Sequence, residues 1–482
     1  MSGLRWVTAS RAIAQLLTWA STFVVIRLLS PTEFGLASLA GLFASFLLVL
    51  NELGFSVALV QRQTRDPEIL RHVFGALLAI GVLMMLGLMA AAPILGALVK
   101  EPRVVPLLRF VSVQFVAMAF GVIPTARLSM DMRFKEISIT SVSASLGGAA
   151  MTLISALKGA GAWSLIIGIV GMSFVRAVML NVYSPWIVIP RLKLAKIRDF
   201  AGFSGLVVLE RTLWYWYMQI DSFVVARVLG AGELGIYSVA RQLTNIPLER
   251  AMVIVNSVTL PAYSLVKHDL EQVGRGYLKV LRVGAGYAFP VFWGLAAVSE
   301  PTVRLLIGAK WIAAVPVIQI LCISMPLRML NSFTSAAAQA VARQDVNIKS
   351  LLIAIVVIPA GVAIGSRWGM RGVAAAWAVG FPVVYFFNAM FLREALALQL
   401  RTMIDTVRPA GIAAGIMLLI LELMSRTFLD SLSPAAHLAI AVPTGALLFA
   451  TALWFVSRSC ARELLDFARA VISRDAPEGL KA

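Results

Sequence analysis

Stretches of about 20 mainly apolar residues recur along the whole chain, and nothing else in the sequence constrains its fold as tightly. A first set reads Val7–Leu29, Leu36–Val60, Val73–Leu98, Pro106–Ile123, Ser138–Leu157 and Ala162–Tyr183. A second reads Phe203–Leu229, Ile236–Leu260, Leu278–Ser299, Ile312–Ser335, Ser350–Ser366 and Gly372–Leu392, followed by Pro409–Thr427 and His437–Val456. Hydrophobic residues make up 60% of the chain and charged ones 14%, where a soluble domain carries about 25% charged residues. Such a chain has too little polar surface to cover a water-exposed core. A bilayer accepts apolar side chains all round a helix, provided that backbone groups pair internally. The expected fold is an all-α integral membrane protein of about fourteen transmembrane helices.

The spans divide into an N-terminal lobe at 1–190, a C-terminal lobe at 191–400, two further spans at 401–457 and a charged tail at 458–482. Arg191, Lys193, Lys196 and Arg198 mark the linker between the lobes. With a cytoplasmic N-terminus, more than half of the 42 lysines and arginines fall on the cytoplasmic side. That bias places both termini in the cytoplasm. The net charge of +18 is therefore the positive-inside pattern of a membrane protein, and no nucleic acid is expected. No cleavable leader is expected, because Arg11 lies inside the first span. Cys322 and Cys460 make no disulfide framework, and His72, His268 and His437 lack metal-ligand spacing. No metal or cofactor is expected.

An internal repeat runs at an offset of 200. Ser21–Ala40 read STFVVIRLLSPTEFGLASLA, and Asp221–Ala240 read DSFVVARVLGAGELGIYSVA. Arg27, Glu33, Gly35 and Ser38 recur as Arg227, Glu233, Gly235 and Ser238, and Arg11 recurs as Arg211. Apolar similarity arises by chance, but a fixed spacing of Arg, Glu and Gly does not. Because an even number of spans separates the copies, both run in the same direction. Two six-helix lobes related by a pseudo-twofold along the membrane normal are expected, as in transporters with a site between lobes.

Ionisable groups inside spans are costly and default to functional roles. At 100° per residue, Arg11, Gln15, Thr18 and Thr22 form one polar stripe on the first helix. On the seventh the equivalent stripe is Arg211, Tyr215, Met218 and Ser222, with Glu210, Trp214, Tyr217 and Asp221 beside it. The second helix aligns Ser38, Ser45, Glu52 and Ser56, and the eighth aligns Ser238, Arg241, Asn245 and Glu249 with Arg250 adjacent. Faces of this kind avoid lipid and are expected to line one cavity, cationic in balance. Arginine binds phosphate oxygens bidentately, and flat aromatic rings suit sugars. Arg11, Arg211, Arg241, Arg250, Glu52, Trp214 and Asn245 are the substrate-binding candidates. For Arg11, Arg211 and Arg282, near cytoplasmic span ends, an interfacial anchor is the competing reading. Arg27 and Arg227 are expected to snorkel or to pair with Glu33 and Glu233.

Prolines fall inside spans mostly in the second half, at Pro247, Pro290, Pro316, Pro326, Pro359, Pro382 and Pro443, with Pro93 as the interior proline of the first six spans. They mark that half as the one able to bend. No P-loop, HExxH, GxSxG or paired-carboxylate motif is present, so no enzyme is expected.

At LLSPTEFG (Leu28–Gly35), MRF (Met132–Phe134), PAYS (Pro261–Ser264) and GAKW (Gly308–Trp311), the chain resembles Wzx-type polysaccharide flippases. These form the polysaccharide-transport branch of the multidrug/oligosaccharidyl-lipid/polysaccharide exporter superfamily. The resemblance implies translocation of an undecaprenyl-pyrophosphate-linked oligosaccharide across a bacterial inner membrane. It makes a polysaccharide polymerase and a chain-length regulator candidate partners, besides the lipid-linked oligosaccharide and membrane lipids. Related flippases use cavity arginines on the first, second and eighth helices. Arg11 and Arg250 resemble two of these, whereas the second helix carries Glu52. Ion coupling is a family expectation, with Asp221 and Glu249 as candidates. A drug or metabolite exporter, disfavoured by the cationic cavity, and a membrane glycosyltransferase are the alternatives.

Overall fold

The computed structural model describes residues 17–51, 59–186, 188–193, 205–265, 269–429 and 431–473; the side chains of 49–51, 205–210, 250, 252–265 and 467–473 are outside that description. Among the described residues every regular element is helical. The chain runs α1 (Leu17–Leu28), α2 (Pro31–Asn51), α3 (Pro67–Leu98), α4 (Val104–Val111), α5 (Gln114–Met130), α6 (Phe134–Leu157) and α7 (Ala162–Tyr183). It continues through α8 (Gly205–Leu229), α9 (Ala231–Leu265), α10 (Leu270–Ala297), α11 (Ser299–Leu306), α12 (Val315–Ala340), α13 (Gln344–Gly365) and α14 (Gly369–Leu396). Last come α15 (Leu400–Met424), α16 (Pro434–Val456) and α17 (Arg458–Ser473). Among the described residues ten stretches are long and apolar enough to cross a membrane, and the one at Gln344–Leu396 folds as two helices, α13 and α14. With the more polar α8 and α9 and the short apolar α1, a helix stands at each of the expected spans.

Two boundaries differ from expectation. The span at Pro106–Ile123 is broken at Ser112–Val113 into α4 and α5. There the Ser112 hydroxyl donates to the Arg109 carbonyl at 2.7 Å, a local bond that competes with the helix ladder. Helix α5 then runs on to Met130 and takes in Pro124, so Pro93 is not alone inside the first six spans.

Local geometry extends the repeat well beyond the segment where its letters recur. Asp66 caps α3 by accepting the Glu68 N–H at 2.8 Å, and Asp269 caps α10 by accepting the Gln272 N–H at 2.9 Å. The turns after α5 and α12 match as well. Met132 and Ala342 adopt left-handed φ of 55° and 59°, and the next residues, Arg133 and Arg343, each donate their N–H back at 2.8 Å, to Leu128 and Ala338. Gly161 (φ 55°) and Gly369 (φ 69°) recur at the starts of α7 and α14.

The chain forms two compact units, Met1–Ile236 and Tyr237–Ala482. In the first, α3 and α5 enclose a core of Leu70, Val73, Phe74, Leu77, Ile123 and Ala126. The start of α2 crosses the first turn of α9 through the repeat's own glycines. A Cβ on Gly35 would lie 1.7 Å from the Ala231 carbonyl oxygen, and one on Gly235 would lie 1.9 Å from that of Pro31. Backbone meets backbone there, with no room for a side chain. Glu33 holds this start in place. Its carboxylate accepts the Ser30 N–H (2.7 Å) and hydroxyl (2.8 Å), while Ser30 Oγ accepts the Glu33 N–H (3.3 Å), a reciprocal capping box.

In the second unit α10 packs on α12 and α15. The charged tail contributes α17, which lies against α10 and α16. Leu464 fills the notch at Gly286, where a Cβ would sit 2.4 Å from its Cδ1, and one turn earlier Arg282 pairs with Glu463 at 2.5 Å. Arg282, an expected interfacial cation, thus anchors the tail helix. Cys460 packs with Ala413 and Leu453 beneath it, and burial pushes its thiol above the ordinary range.

Gly35→Ala is expected to destabilise the protein by about 3 kcal/mol or more, the upper range for overpacking. Gly41→Ala, where nothing lies within 4 Å, should leave the melting temperature near wild type. Both are read by thermal unfolding in detergent. In a Cys322→Ala background, Cys460 should alkylate slowly at neutral pH, because a raised thiol pKa leaves little thiolate. Arg282→Ala should speed that reaction by freeing α17, as followed by maleimide mass shift.

Candidate functional site

The expected site residues on α8 sit in the first unit. Asp221 is 1% exposed, and its Oδ1 accepts the Ser222 N–H at 2.6 Å and the Ser222 hydroxyl at 3.3 Å. Arg211 is half-buried and makes further polar or ring contacts, whereas Trp214 is 48% exposed. On α9, in the second unit, Arg241, Asn245 and Glu249 recur every four residues and so share one face. Arg241 is half-buried with contacts of its own, Glu249 is exposed, and the buried Asn245 Oδ1 finds no hydrogen-bond partner among the described residues. Arg11 and Glu52 lie outside the described residues, as does the side chain of Arg250.

Aromatic residues on α8 are mostly packed rather than free. The Tyr215 hydroxyl donates to the Leu42 carbonyl on α2. Phe46 of α2 meets Tyr215 at 5.6 Å and Trp216 at 5.4 Å between ring centroids, and Trp216 meets Phe223 edge-on at 5.8 Å. Of the four rings at 214–217, Trp214 is the most exposed. The other three help to fasten α8 in the first unit, which positions Arg211 and Asp221.

A further polar constellation lies inside the second unit, and sequence reasoning passed over it. Arg328 occupies the middle of α12, where an arginine costs about 2.5–3.5 kcal/mol to insert. Its guanidinium lies 5.0 Å over the Trp377 ring and 5.9 Å over Phe381, within cation–π range. One turn on, Asn331 Oδ1 accepts from Asn388 Nδ2 at 2.6 Å, while Asn388 Oδ1, fully buried, has no partner among the described residues. Tyr277 of α10 bonds to Thr334 at 3.1 Å and to Tyr385. The signal in the sequence was a lone arginine at the centre of an apolar span.

Outside the spans, charge is paired at the turns. Arg103 donates to Glu101 at 2.7 Å and 2.9 Å, and that contact holds the Glu101 carboxyl below its ordinary range. Arg65 reaches Asp131 at 2.8 Å between the turns that precede α3 and follow α5. Among the described residues no group of three or more His, Cys, Asp or Glu side chains is placed to hold a metal.

Residues 24–316 match the family described as polysaccharide biosynthesis protein. The chain belongs to that family. Proteins similar to it include the succinoglycan biosynthesis transport protein ExoT of Rhizobium meliloti, 28% identical over 480 residues, covering 98% of this chain and 96% of ExoT. The lipopolysaccharide biosynthesis protein WzxC of Escherichia coli is 26% identical over 393 residues, 81% of this chain and 79% of WzxC. The structure of the lipid II flippase MurJ in an inward closed conformation superposes with a TM-score of 0.73 at 14% identity, covering 94% of this chain and 99% of that one. At that identity the likeness is one of fold. The family is the one expected from the LLSPTEFG segment and the later motifs.

Tyr215→Phe should cost about 1 kcal/mol, the usual net worth of one buried hydrogen bond, while leaving the ring packing in place. Thermal unfolding of the variant beside wild type reads that difference.

Proposed function

We propose that the protein is an alternating-access flippase for an undecaprenyl-pyrophosphate-linked oligosaccharide repeat unit, serving surface polysaccharide biosynthesis at a bacterial inner membrane. The observation that carries this reading is one coincidence. A chain of the polysaccharide biosynthesis family shares the fold of a lipid II flippase over 94% of its length and bears the half-buried arginines Arg211 and Arg241 within the long helices α8 and α9. A carrier of this kind must hold a pyrophosphate, a glycan and a long apolar tail at once. Arginine supplies the first with charge-assisted, bidentate hydrogen bonds. Trp214 supplies an exposed flat ring for the second. The apolar helix surfaces that face lipid accept the third.

In this reading Arg11, Arg211, Arg241 and Arg250 engage the pyrophosphate, with Glu52, Asn245 and Trp214 completing the contacts. Asp221 and Glu249 are the groups through which an ion gradient would act. The lobes 1–190 and 191–400 rock, with 401–457 attached to the second and both termini cytoplasmic. The protein carries its substrate and catalyses no covalent step. A polymerase and a chain-length regulator are the partners that would receive the product.

Reconstituted protein should move a fluorescent polyprenyl-pyrophosphate-linked oligosaccharide between leaflets of proteoliposomes. Arg250→Gln and Arg241→Gln should each slow it roughly ten- to a hundredfold, the scale of one lost charge-assisted contact. Elongation of the sugar chain in the same assay, in place of leaflet transfer, would instead identify a glycosyltransferase.

A further inference from the structure

The two units repeat one fold, yet the second carries polar side chains where the first carries apolar ones. Matching turns fix the register. Met132 and Ala342 hold the same left-handed position after α5 and α12, 210 residues apart. At that offset Arg328 stands where the first unit has Met118, and Asn331 stands where it has Gly121. Gly161 and Gly369 stand at the starts of α7 and α14 with positive φ of 55° and 69°, 208 residues apart. At that offset Tyr385 replaces Ala177 and Asn388 replaces Leu180, and Leu180 sits against Gly121 as Asn388 sits against Asn331. The capping aspartates Asp66 and Asp269 align α3 with α10, so Tyr277 replaces Phe74, which packs edge-on against Phe120 at 5.3 Å. The fold is thus built without a cation, an amide pair or phenols at these places. Their presence in the second unit answers to something other than packing.

We propose that Arg328 is a mid-membrane oxyanion station within the second unit, a contact for the substrate that is separate from the polar faces of α8 and α9. Three observations carry it. A guanidinium at the centre of a span is costly, and here it is oriented by two aromatic faces. The neighbouring amide pair leaves the Asn388 acceptor unmet among the described residues, a demand that a donor such as a sugar hydroxyl or an accompanying water would meet. From Arg328 a polar stripe of Ser332, Ser335 and Gln339 follows one face to the C-terminal end of α12, half-buried at first and exposed at its end. In the orientation proposed above that end is cytoplasmic, so the stripe leads an anion inward from the entry side. The oxyanion is either the phosphate of the lipid linkage or a carboxylate on the glycan. Both present the same planar pair of oxygens to a guanidinium.

This inference rests on the flippase reading, and one experiment separates the two. Wild type, Arg328→Met and Arg328→Lys are reconstituted with two fluorescent polyprenyl-pyrophosphate-linked oligosaccharides, one of neutral sugars and one bearing a uronate. Arg328→Met should melt at or above the wild-type temperature, because the first unit packs methionine at this place. Its translocation should fall roughly ten- to a hundredfold, and Arg328→Lys should recover part of the rate by keeping the charge. Loss on both substrates assigns the phosphate; loss confined to the second assigns the sugar acid. Wild-type rates for Arg328→Met on both substrates overturn the station. So does a lowered melting temperature with a rate loss that merely tracks the folded fraction. If wild type moves neither substrate, the flippase reading fails and takes this inference with it.

Discussion

The interior of a bilayer offers no hydrogen-bond partner, so each backbone N–H and C=O of a crossing segment must be paired within the protein. Helices meet that demand within one segment, and the remaining architecture follows from how departures are repaired. Hydroxyls inside the spans turn back on their own helix: Thr22 bonds to Thr18 at 2.8 Å, Thr152 to Gly148 at 2.9 Å and Thr125 to Gly121 at 2.7 Å. The break between α4 and α5 is closed by Ser112 in the same way. Against this background of self-satisfied polar groups, those that do not turn back stand out. Asn245 and Asn388 each keep a buried acceptor without a partner among the described residues, and Arg328 holds its guanidinium over two aromatic faces at the middle of α12. In a low-dielectric interior such groups carry far more energetic weight than in water.

Duplication supplies a second constraint. Caps, left-handed turn residues and close-packed glycines recur between the units, because they fix helix ends and helix contacts and tolerate little change. What differs is the lining of the seam: between α12 and α14 it carries Arg328, Asn331 and Asn388, whereas between α5 and α7 the matching places hold Met118, Gly121 and Leu180, and the nearby Asn181 amide is taken up by the Phe120 and Ala177 carbonyls. The conserved frame accordingly says how the chain folds, while the differences say where it handles substrate. The proline distribution agrees in part. The second unit is richer in helix-interior prolines, although Pro124 shows that the first unit tolerates them too.

Spans and repeat were legible in the sequence because both depend on short-range patterns: the length of an apolar run, and the spacing of Arg, Glu and Gly. Contacts between distant segments were not. Gly35 and Gly235 could be seen to correspond, but not to meet. Glu33 could be seen as a partner for Arg27, and its carboxylate proves to close a capping box at the start of α2. Arg282 could be read as a cation near a span end, but not as the partner of Glu463 on α17. Of the candidate site, the α9 face of Arg241, Asn245 and Glu249 follows from helical spacing alone. Arg328 escaped notice because the repeat was read only over residues 21–40 and 221–240, where it is strongest. The comparison that isolates this arginine needs the turns at 132 and 342, whose kinship lies in backbone geometry and hardly at all in side-chain letters.

The crossing of α2 and α9 carries one more consequence. Gly35 faces Ala231, and Gly235 faces Pro31, so residue i of one copy touches residue j of the other and the reverse also holds. That reciprocity is the signature of an isologous contact, the kind that a symmetric dimer makes with itself. Neither glycine can therefore be changed for one copy alone, since a side chain on either one collides with the backbone of the other.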